Sequence, residues 1–417
     1  MRKILLILVV LAVAACGSGP QTGEVSPLYR TVSSRAVALM HFGNCSDALS
    51  LLLDSASVFR TLDYGHLSVH EAILSYDFGA TLIPLLAIDA GKASDDTSAQ
   101  AAGLLERASA AGFKTYYTGR QIPKRAAVLL SRSQASIDEA VQHINSGSSI
   151  LDAPGFSDAL RLSDGSEGAV FLKNGAARRW IPAGLLKEEV GRTELAKFVA
   201  GAAHWTVLDF NSYSSEGISV KFMDEGDGAC LSHLFAVMQA GESRLSDAIP
   251  DGCSFALDLP LADWKKYCEA YEECLDVRAA LSKYKGRLAG LRKKCGKNPR
   301  TWAEELNPKE IALIRWNGGE VLLLRPARKP KAAETAQNLF PGYIPSLFGG
   351  AFAIADDSFM SVCGEWLLFG GQEAVEGYCE AEKVKFLQGF SRNSKYLVWT
   401  KDLSMQADNK NIQLNVY

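Results

Sequence analysis

Histidine is scarce in this chain, with six residues in 417, and the sequence motifs of common active sites are missing. There is no G-x-S-x-G nucleophile elbow, no P-loop, no G-x-G-x-x-G after a strand and no H-E-x-x-H helix. Missing motifs exclude only the known solutions to these chemistries. The sequence therefore favours a non-enzymatic protein without a cofactor, and a hydrolase with an unrecognised site stays open as an alternative.

An excess of positive charge is also missing. Lysine and arginine number 44 against 47 aspartates and glutamates, which gives a formal net charge of -3. Nucleic-acid binding depends on many Lys and Arg contacts to phosphates, so we exclude a general nucleic-acid binder. The apolar fraction of 47% and the charged fraction of 22% are those of folded globular domains.

No C-x-x-C pair occurs among the nine cysteines, so zinc ribbons and thioredoxin-like redox motifs have no support. Apart from Cys16, the cysteines are even in number, and eight of them allow 105 different sets of disulfides. Small buried thiols are the favoured interpretation, and no metal ligand is assigned. The eight residues are Cys45, Cys230, Cys253, Cys268, Cys274, Cys295, Cys363 and Cys379.

The apolar run at the N-terminus is too short for a bilayer-spanning helix. Ile4–Ala15 follows Arg2 and Lys3 and falls well below the roughly 20 residues that a span needs, so residues 1–15 are interpreted as a signal peptide. Small residues directly before Cys16 form a lipobox. This pattern resembles bacterial lipoproteins, which implies that Cys16 carries acyl chains such as palmitate; the alternative is an incidental cysteine behind a signal peptide.

Residues 16–34 are predicted to form the lipidated cysteine and a flexible tether, because Gly17–Pro27 is rich in Gly, Ser, Pro and Thr. By resemblance to diderm lipoproteins, Gly17 in place of an aspartate favours the outer membrane. Surface-exposed lipoproteins usually carry acidic residues just after the lipidated cysteine, whereas the first acidic residue here is Glu24. The resemblance therefore favours the periplasmic face over the cell surface.

The folded part is predicted to contain two copies of one design. In the first copy, strands at 113–118 and 125–131 precede a helix from Gln134 with the pair Ala140-Val141. In the second copy, strands at 358–363 and 365–369 precede a helix from Gln372 with the pair Ala374-Val375. The interval from each alanine to a later Gly-Phe-Ser turn is the same, which matches Val141 with Val375.

The predicted fold class is α+β, with two related domains that each place helices on an antiparallel sheet. We assign residues 35–245 to the first domain and 246–417 to the second. The first copy continues through strands at 205–210 and 217–223, whereas the second has room only for one at 411–417. The second domain is therefore expected to be incomplete at its C-terminus, or to be completed by another edge.

Residues 261–295 are predicted to form one long amphipathic helix, because apolar residues recur every three or four positions. Acidic residues lie in its first half and basic residues in its second, as the helix dipole favours. A solvated helix end is the favoured interpretation of the basic half, and a contact with lipid phosphates or an acidic partner is the alternative. The apolar stripe is expected to be buried; it contains Trp264, Tyr267, Tyr271, Leu275, Leu281, Tyr284, Leu288 and Leu291.

Four short motifs are weak candidates for a site. His66 and His70, followed by Glu71, have the spacing of two metal ligands on a helix, but no third ligand is near in sequence. The acidic segment 224–228 lacks the alternating oxygen ligands of an EF-hand, so a turn is favoured. The carboxylate pairs at 95–96 and 356–357 are interpreted as turn or helix-start residues.

Three segments resemble an uncharacterised family of Bacteroidota lipoproteins, domain of unknown function 3352. They are 126–156, 204–209 with the sequence HWTVLD, and 306–312 with the sequence LNPKEIA. The resemblance supplies no activity and no catalytic residue. The function favoured by the sequence is a lipid-anchored envelope interaction or scaffold protein that binds another envelope protein through a sheet edge or the long helix. A carrier of a lipid or other apolar ligand is an alternative.

Overall fold

The computed structural model describes residues 25–43, 71–78, 82–92, 94–122, 125–163, 168–176, 198–210, 218–223, 231–328, 342–384, 391–400, 403–409 and 412–416. These residues form two compact units. The first ends at Met223, and the second begins by Leu231 and includes Phe198. The predicted domain boundary after residue 245 is too late, because residues 231–245 belong to the second unit.

The first unit contains one antiparallel sheet of eight strands in the order β4-β5-β3-β2-β1-β6-β7-β8. The predicted hairpin at 113–131 is confirmed, and its first strand lies at the edge of the sheet. The strands are β1 Ala36–Gly43, β2 Glu71–Phe78, β3 Leu82–Gly91, β4 Lys114–Tyr117, β5 Ala126–Ser131, β6 Gly168–Lys173, β7 Trp205–Phe210 and β8 Ile218–Met223.

The second unit repeats this strand order as β13-β14-β12-β11-β10-β16-β17-β18, and a separate two-stranded sheet joins β15 to β9. Both final strands have a counterpart, so the expected shortage of a strand in the second copy is wrong. The strands are β9 Gly241–Glu242, β10 Cys253–Pro260, β11 Pro308–Trp316, β12 Gly319–Pro326, β13 Phe359–Cys363, β14 Trp366–Gly370, β15 Asn393–Ser394, β16 Tyr396–Thr400, β17 Leu403–Ala407 and β18 Ile412–Val416.

The two sheets also share an irregularity. The register between β1 and β2 shifts between Ala36 and Ala38, and the register between β10 and β11 shifts between Cys253 and Phe255. Each shift occurs at the first residues of the corresponding strand. A bulge inserts an unpaired residue at a defined position, so its recurrence supports the predicted duplication independently of strand order. The two antiparallel sheets and the helices between their strands confirm the α+β class.

The helices between the strands are α1 Asp95–Ala110, α2 Gln134–Ser146, α3 Phe156–Leu162, α4 Leu231–Val237, α5 Trp264–Val277, α6 Leu281–Cys295, α7 Pro299–Leu306, α8 Tyr343–Phe348 and α9 Gln372–Glu380. No helix in the described part of the chain is both long and apolar enough to cross a bilayer.

The single long helix predicted over 261–295 is instead two helices. Helix α5 ends at Val277, and Ala279 then takes a positive φ of 52°, a conformation that the α-helix does not allow. Helix α6 begins at Leu281 and ends before Gly296, which caps it in the left-handed conformation. The predicted stripe is buried from Trp264 through Leu288, with Leu281 and Leu291 half-buried.

The second unit has apolar layers on both faces of its sheet. On one face, Val375 and Tyr378 of α9 pack with Ala312 and Leu368. Phe369 points to the other face, because side chains alternate along a strand, and its ring lies 6.1 Å from that of Trp302 in α7.

The first unit begins earlier than predicted. Residues 27–31 form a 3-10 helix in which Leu28 and Tyr29 are buried, and Val32 follows them into the same core. The Tyr29 ring makes edge contacts with Phe156 and Phe171. The tether predicted over 16–34 is therefore wrong from about Pro27 onward, because these apolar side chains close the core.

Candidate functional site

A groove of about 640 Å³ lies beside the edge strand of the first sheet, between β4 and α2. Helix α2 is fixed at both ends: the Ser133 hydroxyl accepts a hydrogen bond from the Ser136 N–H, and Gly147 caps the C-terminus with a φ of 72°. Its inner face packs on the sheet through Ile137 and Ala140. The groove is therefore formed by two rigid elements.

The outer edge of β4 offers backbone hydrogen-bonding groups. The N–H of Thr118 donates to the carbonyl of Ala127 in β5 at 3.0 Å. Groups along an antiparallel strand alternate between its two sides, so the N–H and C=O of Thr115 and Tyr117 point away from β5. Among the described residues, β5 is the one strand paired with β4.

The groove combines an apolar floor with walls that are polar and mostly neutral. Ile137 and Val141 line its floor, with Tyr116 from the strand. Asp138 is the one charged residue in the lining, and it accepts a hydrogen bond from the Gln134 amide at 2.8 Å. The remaining lining residues are Thr115, Gln134, Gln142, Asn145 and Ser146. An extended peptide can meet both features, because its backbone pairs with a strand edge and its side chains enter apolar pockets.

The two related helices differ at this place. Helices α2 and α9 both begin with glutamine, and their buried residues match as Ile137 with Val375 and Ala140 with Tyr378. The predicted match of Val141 with Val375 is therefore wrong by one helical turn, and Val141 corresponds to Cys379. Helix α2 has 13 residues and α9 has 9, so α9 lacks the turn that contributes Asn145 and Ser146.

The strand side of the groove differs as well. In the first sheet Leu129 is opposite Ala87, and in the second sheet Leu368 is opposite Leu323. Leu129 and Leu368 therefore occupy equivalent positions. By the same registers, the position of the exposed Lys114 is taken by Phe359, whose ring packs against the core on the α9 side. The second unit therefore fills the space that is open in the first.

A polar cluster anchors the first 3-10 helix to the sheet. The Glu71 carboxylate is 2.6 Å from Nε2 of His41, and the Tyr29 hydroxyl is 2.9 Å from Nδ1 of the same ring. Burial raises the pKa of Glu71, but hydrogen bonds from His41 and Ser26 outweigh it, and the net pKa is lowered. Ser26 is bonded to Glu71, and Tyr29 occupies the second nitrogen of His41.

This geometry differs from a catalytic triad. A nucleophilic serine needs its hydroxyl bonded to the base that removes its proton. Ser26 instead bonds to the carboxylate and accepts from the Leu28 N–H at 3.2 Å. The residue types of a hydrolase are present, but their hydrogen bonds join the first 3-10 helix to the sheet. We call this cluster of Ser26, Tyr29, His41 and Glu71 the structural junction.

The second unit has the corresponding cluster with different residues. The Ser243 hydroxyl donates to Asp258 at 2.6 Å, and Glu310 accepts from the Arg244 N–H at 2.8 Å and from Nε of Arg325 at 2.8 Å. Burial and the neighbouring Glu310 raise the pKa of Asp258 well above its ordinary value. Burial raises the pKa of Glu310 as well.

The weak motifs of the sequence do not converge on a site. Cys16, His66, His70 and the acidic segment 224–228 lie outside the described residues. Glu71 belongs to the structural junction. Asp95 and Asp96 begin α1, as expected.

The second carboxylate pair has the predicted turn role. Asp356 accepts from the Ser358 N–H at 2.9 Å, and Asp357 accepts from the Gly342 N–H. Among the described residues, no group of three or more His, Cys, Asp or Glu side chains is placed to hold a metal ion.

The groove itself was missed by sequence reasoning. Its helix side was visible as the polar stripe Gln134, Asp138, Gln142 and Asn145, which recurs every three or four residues. Such a stripe is typical of any solvated helix face. Only the strand order shows that β4 is an edge and that this stripe faces it.

Comparisons with known proteins add no relative. No family model, curated protein or solved structure matches the chain. The resemblance to the Bacteroidota lipoprotein family stays a prediction.

Proposed function

We propose that this chain is a lipid-anchored envelope protein that binds an extended segment of another envelope protein in the groove between β4 and α2. One observation carries this proposal. In the described part of the first unit, the free edge of β4 lies beside a face of α2 that is half apolar. Strand addition uses these two features together. The acyl chains on Cys16 would hold the groove at the periplasmic face of the outer membrane.

The alternative functions have weaker support. A lipid carrier needs an apolar cavity between sheet and helices, whereas the described core of the first unit is filled by Phe156, Phe171 and Trp205. A hydrolase needs a nucleophile bonded to a base, and the junction at His41 lacks that bond. The groove therefore favours a non-enzymatic binding protein.

A pair of substitutions on β4 tests strand addition. Thr115→Pro removes an outward N–H and leaves the hydrogen bonds of β4 to β5, because proline is tolerated on the open side of an edge strand. Thr115→Val keeps that N–H and serves as the matched control. We expect the proline variant to lose partner binding and the valine variant to keep it. Circular dichroism should show that both variants are folded.

Photo-crosslinking in membranes locates the partner. A photoreactive amino acid at Gln142 faces the groove, and the same amino acid at Glu380 occupies the equivalent position on the closed second unit. We expect one partner to be crosslinked at position 142 and none at position 380. The crosslink at 142 should disappear in the Thr115→Pro variant. Equal crosslinking at both positions, or retention in the proline variant, would contradict the proposal.

A further inference from the structure

Two cysteines meet where the second unit closes its counterpart of the groove. Cys363 is the last residue of the edge strand β13, and Cys379 lies in the last turn of α9. Both are free thiols, and they lie close enough to interact electrostatically with each other. Both are half-buried against the same core cluster, so a small disulfide-based reagent has access to them.

The other described cysteines have different surroundings. Cys253, Cys268 and Cys274 are buried. Cys295 is half-buried, and its side chain is hydrogen-bonded to that of Tyr343. At the positions of Cys363 and Cys379 the first unit has Thr118 and Val141, which cannot form a disulfide.

We propose that Cys363 and Cys379 form a disulfide that fixes α9 to the edge strand of the second sheet. The co-reactant is a disulfide oxidant, such as a thiol-disulfide oxidoreductase or oxidised glutathione. One thiolate attacks the oxidant to give a mixed disulfide, and the second thiolate displaces the remaining reduced thiol. Two thiols lose two electrons and two protons, and the oxidant becomes two thiols.

The surroundings disfavour the thiolate of Cys379. Burial raises the pKa of the Cys379 thiol to about 11, so little thiolate forms there at neutral pH. The Lys383 ammonium lies 3.9 Å from the centre of the Tyr378 ring and interacts electrostatically with both sulfurs.

The consequence is a fixed helix. A covalent link holds α9 against β13, in the place where the first unit has its open groove. Oxidation in the cell rests on the proposed export to the periplasm, where disulfides persist. Oxidation in vitro does not depend on export. Failure of the disulfide proposal is therefore distinguishable from failure of the proposed function.

Thiol counting tests the pairing. The full chain is reduced, desalted and exposed to oxidised glutathione, and its remaining thiols are alkylated with N-ethylmaleimide. We expect a loss of two alkylated sites and one disulfide-linked peptide pair that contains Cys363 and Cys379. We expect reduction to lower the melting temperature by about 6–12 °C, from the stabilisation of a loop of roughly 15 residues.

Two variants complete the experiment. Cys363→Ser should abolish both the linked peptide and the melting shift, whereas Cys295→Ser, at another half-buried cysteine, should leave both unchanged. Full alkylation of Cys363 and Cys379 after treatment, or pairing of either residue with Cys253, would overturn the proposal. A linked pair in vitro that is reduced in protein isolated from whole cells would instead contradict the proposed export.

Discussion

Glu71 and Glu310 occupy the same position in the two sheets. Glu71 pairs with Gly43, the last residue of β1, and Glu310 pairs with Pro260, the last residue of β10. Each glutamate is linked to a serine in the segment before its sheet, Ser26 or Ser243. The duplication has therefore kept the carboxylate that anchors the preceding segment, while His41 in one unit is replaced by Asp258 in the other.

Removing the second carboxylate should be more costly than removing the first. Glu310→Ala leaves the nearly buried Arg325 guanidinium and the Arg244 N–H without their acceptor, and we expect a loss of about 3–5 kcal/mol in the free energy of unfolding. Glu71→Ala should cost less, because Glu71 is partly exposed. Urea unfolding measures both, with the exposed Glu242→Ala as the control. Equal losses would contradict the difference in burial.

The pH dependence of stability should reveal Asp77. Burial, then the nearby Glu139, raises the pKa of Asp77 from 3.8 to about 6. A raised carboxyl pKa stabilises the folded state at low pH, and this contribution is lost as pH rises from about 4 through 6. The loss amounts to about 3 kcal/mol.

Asp77→Asn removes that titration. The free energy of unfolding of the variant, relative to wild type, should rise between pH 4 and pH 7 and then level off. Asp138→Asn, at an exposed carboxylate of the same unit, is the matched control. Parallel pH profiles for wild type and Asp77→Asn would refute the assignment.

Tyr271 should be important for the stability of the second unit. Its ring stacks 5.8 Å from Tyr267 and meets Tyr284 edge-on at 5.8 Å, and a β-carbon at Gly349 would lie 2.9 Å from its hydroxyl. Tyr271→Ala should leave a cavity and cost about 3–5 kcal/mol, by analogy with Phe truncations. A thermal melt measures the loss, and Glu269→Ala on the exposed face is the control. An unchanged melt would identify this face as a docking surface instead.

Changing Cys16 to Ser tests the predicted lipid anchor. The variant should lack acyl chains, keep its leader and leave the outer-membrane fraction, because lipobox cleavage requires the modified cysteine. Mass spectrometry of the N-terminus and membrane fractionation give the result. An unmodified N-terminus in the wild-type protein would refute the lipobox interpretation.

Local patterns in the sequence predicted individual elements well. The hairpin at 113–131, the helix from Gln134 and the strand at 205–210 were identified because side-chain periodicity and turn residues act over a few positions. The duplication was also visible. Its alignment was wrong, because Ala140-Val141 and Ala374-Val375 look alike in sequence while burial matches Ile137 with Val375.

The sequence by itself determined the α+β class, the twofold design and the apolar stripe that begins at Trp264. Only the tertiary structure decided that β4 is an edge, that Phe359 closes in the second unit what is open in the first, and that Cys363 meets Cys379. The physical reason is range. Periodicity and capping depend on neighbours in the chain, whereas strand order and the filling of a groove depend on contacts between residues far apart in sequence.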